Sequence, residues 1–186
     1  MAEKGDTRSD QQLVTAVNGG DWDAFDALYH RHHDWAFRLA WRFSPDENDA
    51  QDAVQEAFIY LAGKFRARGG LELRAGLTTL LYPAVKHSAL AIKRRRRRTG
   101  ELPEEIQIPA PDPTREVDAV RTELTHVLRQ LSDAHREITL MRFVDDMTLE
   151  EIATALAIPL GTAKSRLHHA LAALKEDSAL RKYFET

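Results

Sequence analysis

The chain contains no cysteine, which excludes disulfide frameworks and thiolate metal sites. It also lacks any uninterrupted apolar run approaching the roughly 18 residues of a membrane span. The polar N-terminus MAEKGDTRSDQQ has no apolar core of the kind a secretory signal needs. These absences fit a protein of a reducing cytoplasm with no membrane insertion. Proline is scarce too, at seven residues, and four of the seven crowd into residues 99–116. That stretch, TGELPEEIQIPAPDPTRE, adds five acids and no aromatic residue, so it cannot bury enough apolar surface to fold alone. It predicts a flexible linker between two helical blocks, residues 10–98 and 117–180. Neither block shows strand alternation or a repeat of roughly 20–50 residues. The expected fold class is therefore all-α, with two small helical domains. A composition of 43% hydrophobic and 30% charged residues suits ordinary globular units.

Charge of one sign is missing from one segment only. The net charge of −3 conceals residues 64–98, where eleven Lys and Arg face a single acid, Glu72. That segment is a local +10 and the rest of the chain sums to −13. Phosphate binding needs only such a local cluster, because each neutralised phosphate releases condensed counterions. The run KRRRRR at 93–98 also suits a helix C-terminus, where the macrodipole favours cations. Six adjacent cations nonetheless repel one another unless an anion lies near.

The stretch TLEEIATALAIPLGTAKSRLHHALAAL, residues 148–174, has the spacing of a helix-turn-helix. Thr148 with Glu151 forms a capping box, and Leu149, Ile152, Ala153 and Leu156 follow at i, i+3, i+4, i+7. Ile158-Pro159 then breaks the pattern, since proline disfavours the α conformation in the residue before it. In the second helix Ala163, Leu167, Ala170, Leu171 and Leu174 form an apolar stripe. Thr162, Lys164, Ser165, Arg166, His168 and His169 stay off that stripe, available to a major groove.

In the N-terminal block, residues 11–17 and 23–43 carry helical patterns separated by Asn18-Gly19-Gly20-Asp21, with Asp21 placed to cap the second. Ser44-Pro45-Asp46-Glu47 predicts a third helix start, with Ser44 as cap and Glu47 closing a capping box. Ala50, Ala53, Val54, Ala57, Phe58, Leu61 and Phe65 keep one face of it apolar, while Asp49, Asp52 and Glu56 line another. An acidic face one helix before a basic segment suits a protein that touches both a basic protein surface and DNA.

Residues 49–65, DAQDAVQEAFIYLAGKF, followed by LLYPAVKHSALAIKRRRRR at 80–98, resemble the polymerase-binding and promoter-melting domain of extracytoplasmic-function sigma factors. The C-terminal block resembles the second domain of that family, where GTxKSRLHRA marks the recognition helix. The resemblance spans about residues 10–176. It implies a dissociable subunit that directs bacterial RNA polymerase core to promoters and is not itself an enzyme. In the family the acidic helix docks on the coiled coil of the β′ subunit, which implies that role for Asp49, Asp52, Gln55 and Glu56. It implies contacts to the −10 element from Lys86, His87, Lys93, Arg94, Arg95, Arg96, Arg97 and Arg98. Capture of an unstacked base falls to the loop within about residues 66–79. The −35 element falls to Thr162, Lys164, Ser165, Arg166 and His169. In the family the linker threads toward the RNA exit path, and the resemblance implies the same course for an extended, acidic segment at 101–112, which would suit such a basic channel. The core β and β′ subunits, promoter DNA and an anti-sigma factor are the implied partners; no cofactor is implied. The chain departs from the family where it has Leu80, His87 and Ala91 in place of the usual tryptophan, asparagine and aspartate. Pro83 departs further, and threatens a kink unless the helix begins anew there.

Two other classes fit parts of the sequence. A sigma-mimicking interaction protein fits the altered −10 helix, and an ordinary helix-turn-helix regulator fits the C-terminal block. A metal site at His30, His32, His33 and Asp34 does not fit, because neighbouring residues on a helix point about 100° apart and the i, i+4 pair with an intervening glutamate is absent. Gly69-Gly70 lacks the Gly-Lys-Ser/Thr ending of a phosphate loop. Leu180, Tyr183 and Phe184 near the C-terminus are expected to pack on the second domain.

Overall fold

The computed structural model of the chain describes residues 6–99 and 125–176. The chain divides into two compact units, residues 1–107 and 108–186. The expected linker beyond Thr99 and the expected C-terminal packing of Leu180, Tyr183 and Phe184 lie outside the described residues. Among the described residues every regular element is helical.

In the first unit, Ser9 and Gln12 form a reciprocal capping box that starts α1, Asp10–Asn18. The Asp21 side chain accepts a hydrogen bond from the Ala24 amide at 3.2 Å and caps α2, Trp22–Phe43, as its position after the Gly pair predicts. All three tryptophans of the chain, Trp22, Trp35 and Trp41, lie in α2. The cap of α3, Glu47–Arg66, is Asp46 rather than Ser44. Asp46 accepts from the Asp49 amide at 3.0 Å. Ser44 instead ends α2 and turns its hydroxyl into the interior. Pro45 lies before the helix, so it acts as a breaker between α2 and α3 and not as a first-turn residue.

The fourth helix, α4, runs without interruption over Leu77–Thr99 with Pro83 inside it. The helix therefore does not restart at Pro83. The proline ring is on the exposed side, and its missing N–H leaves the Thr79 carbonyl without its helical donor. α3 packs against both α2 and α4, and α1 rests on α2. Leu13, Leu28, Leu39, Leu61, Leu81 and Tyr82 are the large side chains at the centre of this unit.

The second unit begins, as described, with helical residues 125–130. Arg136 closes their end by donating to the carbonyls of Leu128, Arg129 and Leu131 at 2.8–3.0 Å, which satisfies acceptors left open at a helix C-terminus. Then follow α5, Asp133–Phe143, α6, Leu149–Ala155, and α7, Leu160–Glu176. The capping box between Thr148 and Glu151 starts α6. Val127, Leu131, Ala170 and Leu174 form one buried cluster, tying α7 to the helix before α5.

The stop of α6 differs from the expected one. Ala157 adopts a left-handed φ of +52°. The Ile158 amide donates to the Ala153 carbonyl at 2.9 Å, and the Ala157 amide to Thr154 at 3.1 Å. This is the Schellman arrangement, with alanine where glycine is usual. The helix is closed before Pro159 is reached, and the proline carbonyl accepts the first amides of α7, from Thr162 and Ala163.

Candidate polymerase and nucleic-acid interface

The outer face of α3 presents Asp52, Gln55 and Glu56 to solvent. Asp49 does not belong to that face. It is 4% exposed, accepts a hydrogen bond from the Ser44 hydroxyl at 2.8 Å and is ion-paired with Arg96 at 2.8 Å. Arg96 from the end of α4 lies against Asp49 in the first turn of α3, while Glu47, Asn48 and the acids of the later turns stay exposed. Beyond the acids the same exposed side continues as Ile59 and Tyr60, 70% and 47% exposed. The run AFIYL carries apolar residues beyond the width of one face, which is the signal that could have marked this patch.

The basic end of α4 divides by helical phase. Lys93 and Arg96, three residues apart, turn toward the body of the unit. Lys93 donates to the Phe43 carbonyl at 3.0 Å; burial, and then the nearby Arg97, push its pKa down. Arg96 bridges Asp46 at 2.9 Å and Asp49 at 2.8 Å. The Asp49 amide and then Arg96 hold the Asp46 carboxyl below its usual range. The expectation that Lys93 and Arg96 face DNA is thereby corrected: both are committed to joining α4 to α2 and α3. Arg94, Arg95, Arg97 and Arg98 are exposed. Arg94, Arg97 and Arg98 line a hollow of about 410 Å³ with Ala91.

Nearer the start of α4, Lys86 lies over the Phe43 ring at 5.6 Å, and His87 is exposed. His87, Leu80 and Pro83 line a hollow of about 380 Å³ with Tyr60. Three of the four positions that depart from the family pattern thus share one surface feature. The loop at residues 67–76 joins α3 to α4 and carries Arg68 and Arg74, both exposed.

In the second unit Ala163, Leu167, Ala170 and Leu174 are buried. Lys164, Ser165, His168 and His169 point outward, with Thr162 and Arg166 half-buried. None of the described ion pairs engages Lys164 or Arg166. The His169 ring lies 6.3 Å from His135 and 5.6 Å from His168. In the first unit, His32 pairs with Asp10 of α1 at 2.8 Å and His33 with its neighbour Asp34 at 3.1 Å, so one imidazole ties α2 to α1 and the other serves a local contact on α2. Among the described residues no group of three His, Asp or Glu could hold a metal ion.

Residues 28–99 match the family model for sigma-70 region 2, and residues 127–176 match sigma-70 region 4. The chain is 30% identical over 186 residues to the RNA polymerase sigma-H factor of Pseudomonas aeruginosa, covering 92% of this chain and 94% of that one. It is also 30% identical over 167 residues to the ECF RNA polymerase sigma factor SigM of Mycobacterium tuberculosis, covering 90% and 83%. The chain belongs to the extracytoplasmic-function sigma factors. As a sigma factor it directs RNA polymerase core enzyme to promoters for transcription initiation. Among solved structures this sigma factor is similar in fold to CnrH, described in complex with the cytosolic domain of CnrY. That match has a TM-score of 0.64 at 20% identity, covering 94% of this chain and 97% of that one. It is also similar in fold to the sigma factor RpoE of Bartonella quintana, described with the anti-sigma factor NepR. Here the TM-score is 0.59 at 20% identity, covering 84% and 96%. Among the described residues of the sigma factor no helix is long and apolar enough to cross a membrane.

Proposed function

We propose a division of the sigma factor's work between its two units, 10–98 and 117–180. The first holds the polymerase core through Asp52, Gln55 and Glu56, which meet the β′ coiled coil. Its basic helix contacts the −10 element through Lys86, His87, Arg94, Arg95, Arg97 and Arg98, and the loop at 67–76 receives an unstacked base of the non-template strand. The second unit places α7 in the major groove of the −35 element. The protein works in the cytoplasm and carries no catalytic chemistry of its own, since polymerase makes the phosphodiester bond. An anti-sigma protein is a fitting regulator, by analogy with the complexes of CnrH and RpoE.

The observation that carries this reading is the outward face of α7. Lys164, Ser165 and His169 stand exposed beside half-exposed Arg166, while the apolar side locks the helix onto its unit. A cation without an internal partner suits a phosphate or the O6/N7 edge of guanine. Transcription with purified core and a library of −35 sequences tests it. Arg166→Ala and Lys164→Ala are expected to differ. A base-reading side chain costs about 1–3 kcal/mol and relaxes selectivity at one or two positions, whereas a phosphate-bound one weakens all promoters evenly. Selectivity that persists after alanine replaces Lys164, Ser165, Arg166 and His169 together would overturn it.

A further inference from the structure

Asn18 is the last residue of α1, and its side chain reaches the loop between α3 and α4. Its Nδ2 donates to the Leu71 carbonyl at 2.8 Å, and its Oδ1 accepts from the Leu71 amide at 2.9 Å. One primary amide thus satisfies both backbone groups of one residue, the pairing that a neighbouring strand would supply. The partners are 53 residues apart in sequence. Gly70 is shaped around the same contact. Its φ is +71°, and a Cβ built on it would lie 2.4 Å from Asn18 Oδ1. A side chain at residue 70 is therefore strained by the backbone conformation and would push the Asn18 amide out of its place.

The loop is pinned elsewhere as well. The Arg66 guanidinium at its entrance lies 5.2 Å from the Trp22 ring centroid on α2. The Gly70 amide closes a turn by donating to Ala67 at 2.9 Å. These contacts fix the first half of the loop, leaving the exposed side chains of Glu72 and Arg74 beyond it.

We propose that Asn18 is a positioning residue for this loop, holding residues 67–76 in the shape that receives an unstacked non-template base. The proposal rests on the reading of the loop as the base-capturing element. Asn18 touches no DNA in it. The side chain acts by removing the conformational freedom that the loop would otherwise lose on binding.

The test uses holoenzyme assembled from polymerase core and full-length protein. The probe is a labelled single-stranded oligonucleotide of the non-template −10 strand from a promoter this holoenzyme transcribes. Affinity is measured at several salt concentrations for wild type, Asn18→Ala, Gly70→Ala and the double variant. Asn18→Ala should weaken capture about five- to tenfold, the value of two modest hydrogen bonds. Its salt dependence should match wild type, since every cation that meets a phosphate is still in place, and its core affinity and helicity should be unchanged. A merely structural role would instead lower core affinity and helicity along with capture. Gly70→Ala should weaken capture at least as much, and the double variant no further, because both changes break one contact. Losses that multiply in the double variant would overturn the proposal, as would wild-type capture by Asn18→Ala. Absence of capture by wild type would remove the base-capturing reading of the loop and the proposal with it. Capture by wild type with no effect of Asn18→Ala removes the proposal alone.

Discussion

At the scale of single residues, Arg96 shows how little a run of like charges says about each member. It is the middle of five consecutive arginines, yet it is the one that Asp46 and Asp49 neutralise within the fold. Arg96→Gln leaves the buried Asp49 carboxylate with only the Ser44 hydroxyl among its described partners. It should destabilise the first unit, because a buried carboxylate loses the partner that offset its desolvation. Urea unfolding measures this. The bridge from Arg96 to Asp46 makes stability depend on pH. The Asp46 carboxyl is held below its ordinary value by the Asp49 amide first and Arg96 second. A depressed folded-state pKa contributes stability that is present at neutral pH and is lost as pH falls through the folded value. Stability should thus decline from about pH 4 downward, and less steeply in Arg96→Gln. Parallel curves for the two proteins would sink this account. Ala157 makes the opposite kind of prediction. It holds a left-handed φ without the freedom of glycine, so Ala157→Gly should stabilise the second unit by about 0.5–1 kcal/mol. Relief of the backbone strain exceeds the extra entropy of an unfolded glycine. Thermal unfolding followed by circular dichroism checks it.

At the scale of helices, the two sides of α4 do separate jobs and should separate in experiment. Replacing Arg94, Arg95, Arg97 and Arg98 by Gln should reduce the salt dependence of promoter binding, for every sequence alike. The log–log slope should fall by about 0.9 for each phosphate that is no longer neutralised. Arg96→Gln should lower stability and leave the slope in place. An unaltered slope in the fourfold variant would show that the exposed arginines are only a solvated helix end. This division is half legible in the sequence. Local signals name the elements well: the Thr148–Glu151 capping box, the Asp21 cap and the apolar stripes of α3 and α7 depend only on residues within a turn or two. Asp49 and Asp52 look alike on a helical wheel, and what buries one of them is the end of a helix 47 residues further along. Ser44 and Asp46 are both good caps by type; the choice between them is made by Asp49, which occupies the serine hydroxyl. Asn18 and Leu71 carry no sequence sign of each other, because a side chain paired with a distant backbone leaves no periodicity.

At the scale of the whole molecule, the chain folds as two units, each with its own core, and damage to one should spare the other. Leu167 is 9% exposed, and Leu167→Asp places a charge in the second core, where it should unfold that unit. Core polymerase binding through the first unit should survive while −35 selectivity disappears. Asp52→Lys should do the reverse, weakening core binding by repulsion while both units keep their helicity, since an exposed charge adds little to stability. Loss of core affinity in Leu167→Asp equal to that in Asp52→Lys would show that the units do not divide the work. The placement of every tryptophan on α2 has an optical consequence. Indole emission originates wholly in the first unit, so a denaturation curve followed by selectively excited tryptophan fluorescence is blind to the second, whereas the far-ultraviolet signal sums both. A gap between the two midpoints would therefore be a direct spectroscopic measure of how independently the halves melt, obtained on the intact chain without a label or a truncation.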